Sequence, residues 1–421
     1  MSAANTQSDG PVLVAGGGIG GMACALALAK EGLAVELLEQ SPEIGEIGAG
    51  LQLGPNAFAA LEALGVGEST RRAAVFTDRM VMMDAVDCSE VASIPLGPEF
   101  IARFGNPYAV AHRADLHATL HAAVVSHPLV KVFTGTRIES VDRVEGSAEV
   151  RTADGRVFKG VALIGCDGVK SVVRDHIVGD KARVSGHVVY RAVVPVAEMP
   201  LDMQLNAPVV WAGPNCHIVH YPIRNGEHYN LVVTFHSRKP EEWGVTDGSK
   251  EEVLSYFGGI SERPRRLLDL PKTWRRWSTA DRDPVAKWSS GHATLLGDAA
   301  HPMMQYLAQG ACMALEDAVT LGAAARRAKQ SDGRIDWIQA FSDYEAARVA
   351  RTARVVLSVR EFGRLCHVAG VERLVRNSLW VNRQPSRFYD SLEWLYSWRP
   401  ETCLKGIQTA VVADEEIVST V

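Results

Sequence analysis

Residues 11–39 constrain the fold more than any other stretch. Pro11-Val-Leu-Val-Ala15 is a short apolar run, and Gly16 to Gly21 follow it. An apolar-periodic segment then reaches Lys30, Gly32 stops it, and Ala34-Val-Glu-Leu-Leu-Glu39 is a second apolar run. Strand, glycine turn, helix, glycine stop and strand predict a βαβ unit, with Gly32 where a helix end needs positive φ. The turn spells G-x-G-x-x-G through Gly16, Gly18 and Gly21, with Ile19 and Gly20 inside it. Gly16 permits the tight turn, Gly18 lets a pyrophosphate reach the backbone, and Gly21 lets helix and strand pack closely. The helix N-terminus offers unpaired N–H groups to phosphates. Glu39, eighteen residues after Gly21, can accept from ribose hydroxyls and repel a 2′-phosphate. The unit predicts a dinucleotide site, and no second such fingerprint occurs.

The remaining chain adds a different architecture. Runs at 130–165 read as short strands, with a turn at Ala153-Asp154-Gly155. Between 184 and 280, VVYRAVVPV, APVVWAG, CHIVHYPIR and YNLVVTFH are β-branched and alternating, which predicts a mostly antiparallel sheet inserted into a parallel core. From Gly310 to about 368 the pattern is helical. The last fifty residues, with Trp380, Trp394, Tyr396 and Trp398, read as helices and loops packed on the rest.

Composition excludes several classes. With 47% hydrophobic and 22% charged residues over 421 positions, the chain is neither disordered nor fibrous. A net charge of −5 advertises no surface to nucleic acid. Seven scattered cysteines, none spaced C-x-x-C, predict thiols in a reducing compartment and no zinc ribbon. The N-terminal MSAANTQSDG lacks the pattern of a signal peptide, and no apolar run is long enough to span a membrane. The expected location is cytoplasmic.

Two further strands deliver carboxylates at their ends. Leu163-Ile-Gly-Cys-Asp-Gly168 carries Asp167, followed by Ser171 and Arg174, and Ala293-Thr-Leu-Leu-Gly-Asp298 carries Asp298. Ligands of open α/β sheets bind outside such ends. Taken singly, each aspartate could equally be a turn or capping residue. In this order, and with His112-Arg113-Ala-Asp-Leu-His117, the motifs resemble the class A flavoprotein aromatic monooxygenases, the p-hydroxybenzoate hydroxylase-like group. The resemblance reaches to about residue 365. It implies a Rossmann-type FAD-binding domain with a parallel sheet, interleaved with an antiparallel-sheet substrate domain and followed by a helical part. The expected boundaries are 1–75, 100–183 and 280–365 for FAD, 76–99 and 184–279 for substrate, and 366–421 for the C-terminal helices. It also implies tightly bound FAD, NADH as a visiting co-substrate, dioxygen, and a homodimer. Arg113 and Asp298 are expected on FAD, and Asp167 and Arg174 in the stretch linked to FAD and the pyridine nucleotide.

Two departures narrow the substrate. Where the group typically has a proline after His301, this chain has Gln305-Tyr-Leu-Ala-Gln-Gly310, and His217-Ile-Val-His-Tyr-Pro222 precedes it. Both runs look like the 3-hydroxybenzoate 6-hydroxylase branch, which implies a flavin hydroperoxide attacking para to a phenol hydroxyl to give 2,5-dihydroxybenzoate (gentisate). The turn at Gly310-Ala311-Cys312 would aim a helix N-terminus at the flavin, favouring its anionic reduced ring. His217 and Tyr221 share one face of an alternating strand and His220 takes the other. A base of near-neutral pKa makes the phenol nucleophilic, so His217 is the expected base, with Gln305 orienting the hydroxyl or the imidazole. Tyr221 and Tyr108 are candidates for the substrate pocket, and Asp78 a weaker one. Arg191 could meet the substrate carboxylate, although a structural salt bridge is the simpler expectation. Glu316 and Asp317 are expected in ion pairs, and Trp274, Trp277 and Trp288 in packing. Salicylate or hydroxynicotinate hydroxylation are the alternatives, and an NAD-dependent dehydrogenase or a non-enzymatic flavin-binding protein are more distant ones.

Overall fold

The computed structural model describes residues 10–45, 50–144 and 146–407. Val12–Ala15, Val35–Leu38 and Val130–Phe133 continue on one side, and Ala162–Gly165 and Ala293–Leu295 on the other, as five parallel strands. Ser289–Ser290 closes the edge antiparallel. The central strands Val12–Ala15 and Ala162–Gly165 are buried throughout, because helices cover both faces of the sheet. The glycine-rich helix Ile19–Lys30 packs on Gly310–Arg327, both rich in alanine, so the backbones approach closely.

The second body is an eight-stranded sheet. Its order is Gly244–Gly248, Trp274–Asp281, Arg183–Pro195, His228–His236, Cys216–Ile223, Val209–Gly213, Arg79–Asp84 and Glu90–Pro95. Only Val209–Gly213 and Arg79–Asp84 pair in parallel. One face buries Trp211, Ile218, Leu231, Val233 and Phe235 against Val253, Phe257, Leu267 and Leu268. His220 belongs to that face and accepts from the Trp211 indole N–H at 3.2 Å. The opposite face looks toward the parallel sheet.

The helix Trp337–Cys366 runs thirty residues, and Gly370–Trp380 and Pro385–Tyr396 follow it. Tyr389 and Tyr396 pack edge-on against Phe100 and Phe104, which fixes the last helix beside the cleft described next. Residues 408–421 of the predicted C-terminal segment lie outside the described residues. Among the described residues no helix is long and apolar enough to cross a membrane.

Candidate active site

Three parallel strands end at one edge, at Ala15, Gly165 and Leu295, and their following turns converge there. Gly16 has φ +99°, and a Cβ on Gly21 would lie 1.8 Å from the Gly16 carbonyl, so both positions require glycine. A Cβ on Gly18 would meet nothing within 4 Å: this glycine faces open space. The helix Ile19–Lys30 begins with no side chain capping its N–H groups, and so does Gly310–Arg327. His117 donates from Nε2 to the Gly17 carbonyl (2.9 Å), tying the 112–117 segment to the glycine turn. Glu39 accepts from Gly17 N (2.6 Å) and Ser41 N (2.7 Å).

The space between the sheets is a cleft of about 710 Å³. Gly18, Ile19, Gly20, Arg113, Asp298, Gly310 and Ala311 line it from the nucleotide side. From the large sheet come Arg191, His217, Val219, Tyr221 and Val232, and from the loop before Gly310 come Met303 to Gln309. The pairing explains this convergence: Arg191, Val232 and Val219 lie in one cross-strand row, with His217 and Tyr221 two residues to either side of Val219. Tyr108 also lines the cleft and donates its hydroxyl to Gln52 Oε1. Gln305 donates from Nε2 to Thr234 Oγ1 at 3.2 Å, and Thr234 is the residue directly opposite His217.

His217 is 3% exposed. Burial, with His187 nearby, lowers its pKa to about 3, which corrects the near-neutral value expected of the base: the imidazole is held in its neutral form. Burial pushes the Tyr221 hydroxyl up, offset in part by Arg191 and Gln52. The cleft therefore holds neutral hydrogen-bonding groups among methionines and other apolar side chains, with cations at Arg113 and Arg191.

Some expected residues stand elsewhere. Arg174 is a correction: it is fully buried, with a bidentate pair to Asp180 (2.7 and 2.8 Å) and bonds to the Ala299 and Ala300 carbonyls (2.9 and 2.6 Å). Its guanidinium is taken up by these partners and does not line the cleft. It braces the loop that presents Asp298 instead. Asp167 caps the short helix Val172–Ile177, accepting from Ser171 Oγ and Val172 N, while its neighbours Cys166 and Gly168 line the cleft. Burial raises its carboxyl above the usual range. Gly16, Gly21 and Glu39 shape the turn from behind and do not line this cleft. The salt bridge expected at Arg191 is also corrected: among the described residues it has no carboxylate partner, and its guanidinium lies 5.5 Å from the Trp277 ring.

Glu316 and Asp317 anchor the opposite side of the helix Gly310–Arg327. Arg348 reaches Asp317 (2.6 Å) and Glu316 (2.5 Å), and Arg351 binds Glu316 through two nitrogens (2.6 and 2.7 Å). Asp317 also accepts from His301 Nε2 (2.5 Å) and Gly297 N (3.1 Å), which fixes both ends of the Asp298 loop. From the C-terminal helices, Trp380, Arg383, Phe388, Leu392 and Tyr396 close one end of the cleft. His367 joins the site as well, its Nε2 2.7 Å from His217 Nδ1. Neither had a local signal, since both depend on how distant segments meet.

The nucleotide side fits FAD on the chain's own geometry. Two uncapped helix N-termini and an open glycine suit a pyrophosphate. Asp298, exposed to the cleft on a braced loop, suits ribitol hydroxyls.

Comparison with known proteins agrees. Residues 9–356 match the family described as FAD binding domain. The chain is 60% identical over 400 residues to a 3-hydroxybenzoate 6-hydroxylase of Polaromonas naphthalenivorans (strain CJ2), covering 95% of this chain and 99% of that protein. It is 59% identical over 394 residues to a 3-hydroxybenzoate 6-hydroxylase of Klebsiella oxytoca, covering 94% and 98%. In fold it is similar to Klebsiella pneumoniae R204Q HpxO complexed with FAD, with a TM-score of 0.80, 23% identity, and coverage of 92% of this chain and 98% of that one. The chain belongs to the FAD binding domain family and, within it, to the class A flavoprotein aromatic monooxygenases.

Proposed function

We propose that this enzyme hydroxylates 3-hydroxybenzoate para to its hydroxyl, giving 2,5-dihydroxybenzoate (gentisate) with NADH and dioxygen. The observation that carries the reading is the meeting of His217, Gln305 and Tyr221 on one wall of a cleft whose other wall suits FAD. The names of the relatives at 59–60% identity support the same ring. When bound, FAD would supply the redox chemistry, accepting reducing equivalents from the nicotinamide and activating dioxygen for transfer of one oxygen atom to the ring.

The chain's own groups do the rest. Gly18, Ile19 and Gly20, with Gly310 and Ala311, would hold the cofactor through the uncapped helix N-termini, with Asp298 and Arg113 beside it. Glu39, behind the glycine turn, would sit toward the adenosine end, where a carboxylate could meet ribose hydroxyls. Arg113 and Arg191 make the cleft favourable to a carboxylate. His217 Nε2 takes the phenol proton, which makes the para carbon nucleophilic. Gln305 cannot accept a proton and orients the hydroxyl, while Tyr221 and Tyr108 bound the ring. Methionine and leucine side chains exclude water, which protects the activated oxygen from loss as peroxide. The functional division follows the sheets, with 76–99 and 184–279 serving the substrate and 1–75, 100–183 and 280–365 the cofactor. A homodimer in a reducing, cytoplasmic setting belongs to the same proposal; all seven cysteines are free thiols.

The test is purified protein with NADH and a panel of 3-hydroxybenzoate, salicylate and 4-hydroxybenzoate, following NADH loss, peroxide and product together. Coupled NADH loss with 3-hydroxybenzoate supports the reading. Faster coupled turnover of another ring moves the substrate, and indifference to every ring removes the hydroxylase assignment.

A further inference from the structure

His217 raises a question that the single base does not answer. A buried imidazole that strongly disfavours its charged form can accept a proton but cannot hold it, so the proton needs a way out. The hydrogen bond between His217 and His367 supplies one. His217 Nδ1 and His367 Nε2 are 2.7 Å apart, and the two rings lie 5.0 Å apart at 36°. His367 caps the C-terminus of the helix Trp337–Cys366 and is largely buried, though less completely than His217. Its backbone is fixed too: its N–H reaches the Arg364 carbonyl (3.0 Å), and its carbonyl accepts from Asn215 N (2.9 Å), in the turn before the strand that carries His217. Exposure thus rises along the pair, from a cleft-facing ring to one nearer the surface.

We propose that His217 and His367 form a two-histidine relay that carries the phenol proton from the cleft to solvent. His367 is the residue through which the base is emptied. This rests on the function proposed above. The steps balance as follows. The substrate O–H bond breaks as His217 Nε2 gains the proton, and His217 Nδ1 gives its own to His367 Nε2. His367 Nδ1 then releases one to water. Each imidazole ends neutral in the opposite tautomer, and reprotonation of the product phenolate along the same path restores both. The outward passage moves one proton from the phenol to bulk water and the return passage brings one back, with no imidazolium stored in the low-dielectric interior.

The surroundings favour neutral rings. His187 lies beside His367, with ring centroids 5.4 Å apart, and His236 beside His187 at 5.1 Å. Tyr306 packs over His217 and bonds His187 Nδ1 at 2.6 Å. Burial and these neighbouring histidines hold His367 well below the ordinary value. The charged groups that bear on the cluster, Asp281 and Arg183, act on His187 with opposite signs. Among the described residues, therefore, no carboxylate pins a proton on the pair.

Two substitutions separate relay from mere positioning. His367→Asn keeps an acceptor for His217 Nδ1–H but cannot pass a proton on, and His367→Ala removes both functions. With FAD content and substrate affinity as controls, both should slow coupled hydroxylation by about 10–100-fold. Added imidazole should restore the alanine variant in proportion to its concentration. A wild-type rate in His367→Asn would mean that only the hydrogen bond matters, and slow variants deaf to imidazole would mean a structural role; either overturns the relay. Nitrogen-15 NMR of the resting wild-type protein adds a readout independent of turnover: the relay requires the Nδ1–H tautomer of His217, and Nε2–H contradicts it. Should the wild-type enzyme prefer another phenol, the assigned substrate fails and the same variants are compared on that phenol, so the two failures remain distinct.

Discussion

Two buried clusters of titratable groups flank the cleft, and they are built on opposite principles. Behind the helix Gly310–Arg327, Glu316, Asp317, Arg348, Arg351 and His301 form an ionic network. On the sheet side, His217, His367, His187 and Tyr306 form a neutral one, joined by two short hydrogen bonds and by ring packing. The first pins charges: His301 and Arg348 hold Asp317 at about 2 despite burial. The second keeps charge away, with His187 at about 4 and His217 at about 3. Fixed charge makes a rigid mount for the Asp298 loop. Neutral imidazoles make a place where a proton can move. The difference teaches that burial alone does not define a catalytic group; what matters is whether the partner fixes the proton or leaves it free to pass.

The largest effect should come from breaking the ionic side. Arg348→Met leaves two buried carboxylates short of a cation, which should cost about 3–5 kcal/mol of stability in a denaturant titration. A loss under about 1 kcal/mol would show that Arg351 and His301 hold the network unaided. On the neutral side, stability should barely change while chemistry does. His217→Ala should keep FAD, slow hydroxylation about 100-fold and release peroxide. Full coupled turnover in this variant would remove His217 from the mechanism.

Acid should separate the clusters by pH window. The folded state holds His217 unprotonated down to about 3, whereas the unfolded chain protonates it near 6.5. Its contribution is therefore complete above 6.5 and lost as pH falls through that range, by up to about 1.4 kcal/mol per pH unit. The Asp317 contribution is present above 3.8 and is lost only toward 2. Unfolding midpoints followed from pH 7 to 4 should fall in the wild type and fall less in His217→Gln; parallel curves would contradict the neutral-histidine picture. The smallest effect belongs to Gln305→Ala, about 3–10-fold in coupled turnover, the size of one hydrogen bond. Steady-state product formation measures it, and an unchanged rate would leave Gln305 as a spacer.

What was legible in the sequence was what local geometry enforces. Gly16 and Gly21 announce themselves because their backbone positions admit no side chain, and Asp298 because a buried strand must end where ligands bind. The His217–Tyr221 face follows from strand period alone. Arg174 misled because nothing near it in sequence shows that Asp180 and the 299–300 carbonyls will claim its nitrogens. Arg191 misled in the opposite way, since an arginine on a strand suggests a partner that the sheet never brings. His367 was silent: its meaning lies in a contact 150 residues away, at the end of a helix whose length sets where the ring arrives.

The most direct test of the account is one turnover experiment under ¹⁸O-labelled dioxygen with NADH and 3-hydroxybenzoate. The expected product is 2,5-dihydroxybenzoate carrying a single heavy oxygen at the new hydroxyl, formed with little peroxide. Hydroxylation at any other carbon, or an oxygen derived from water, would contradict the assignment of His217 as the base that directs attack to the para position.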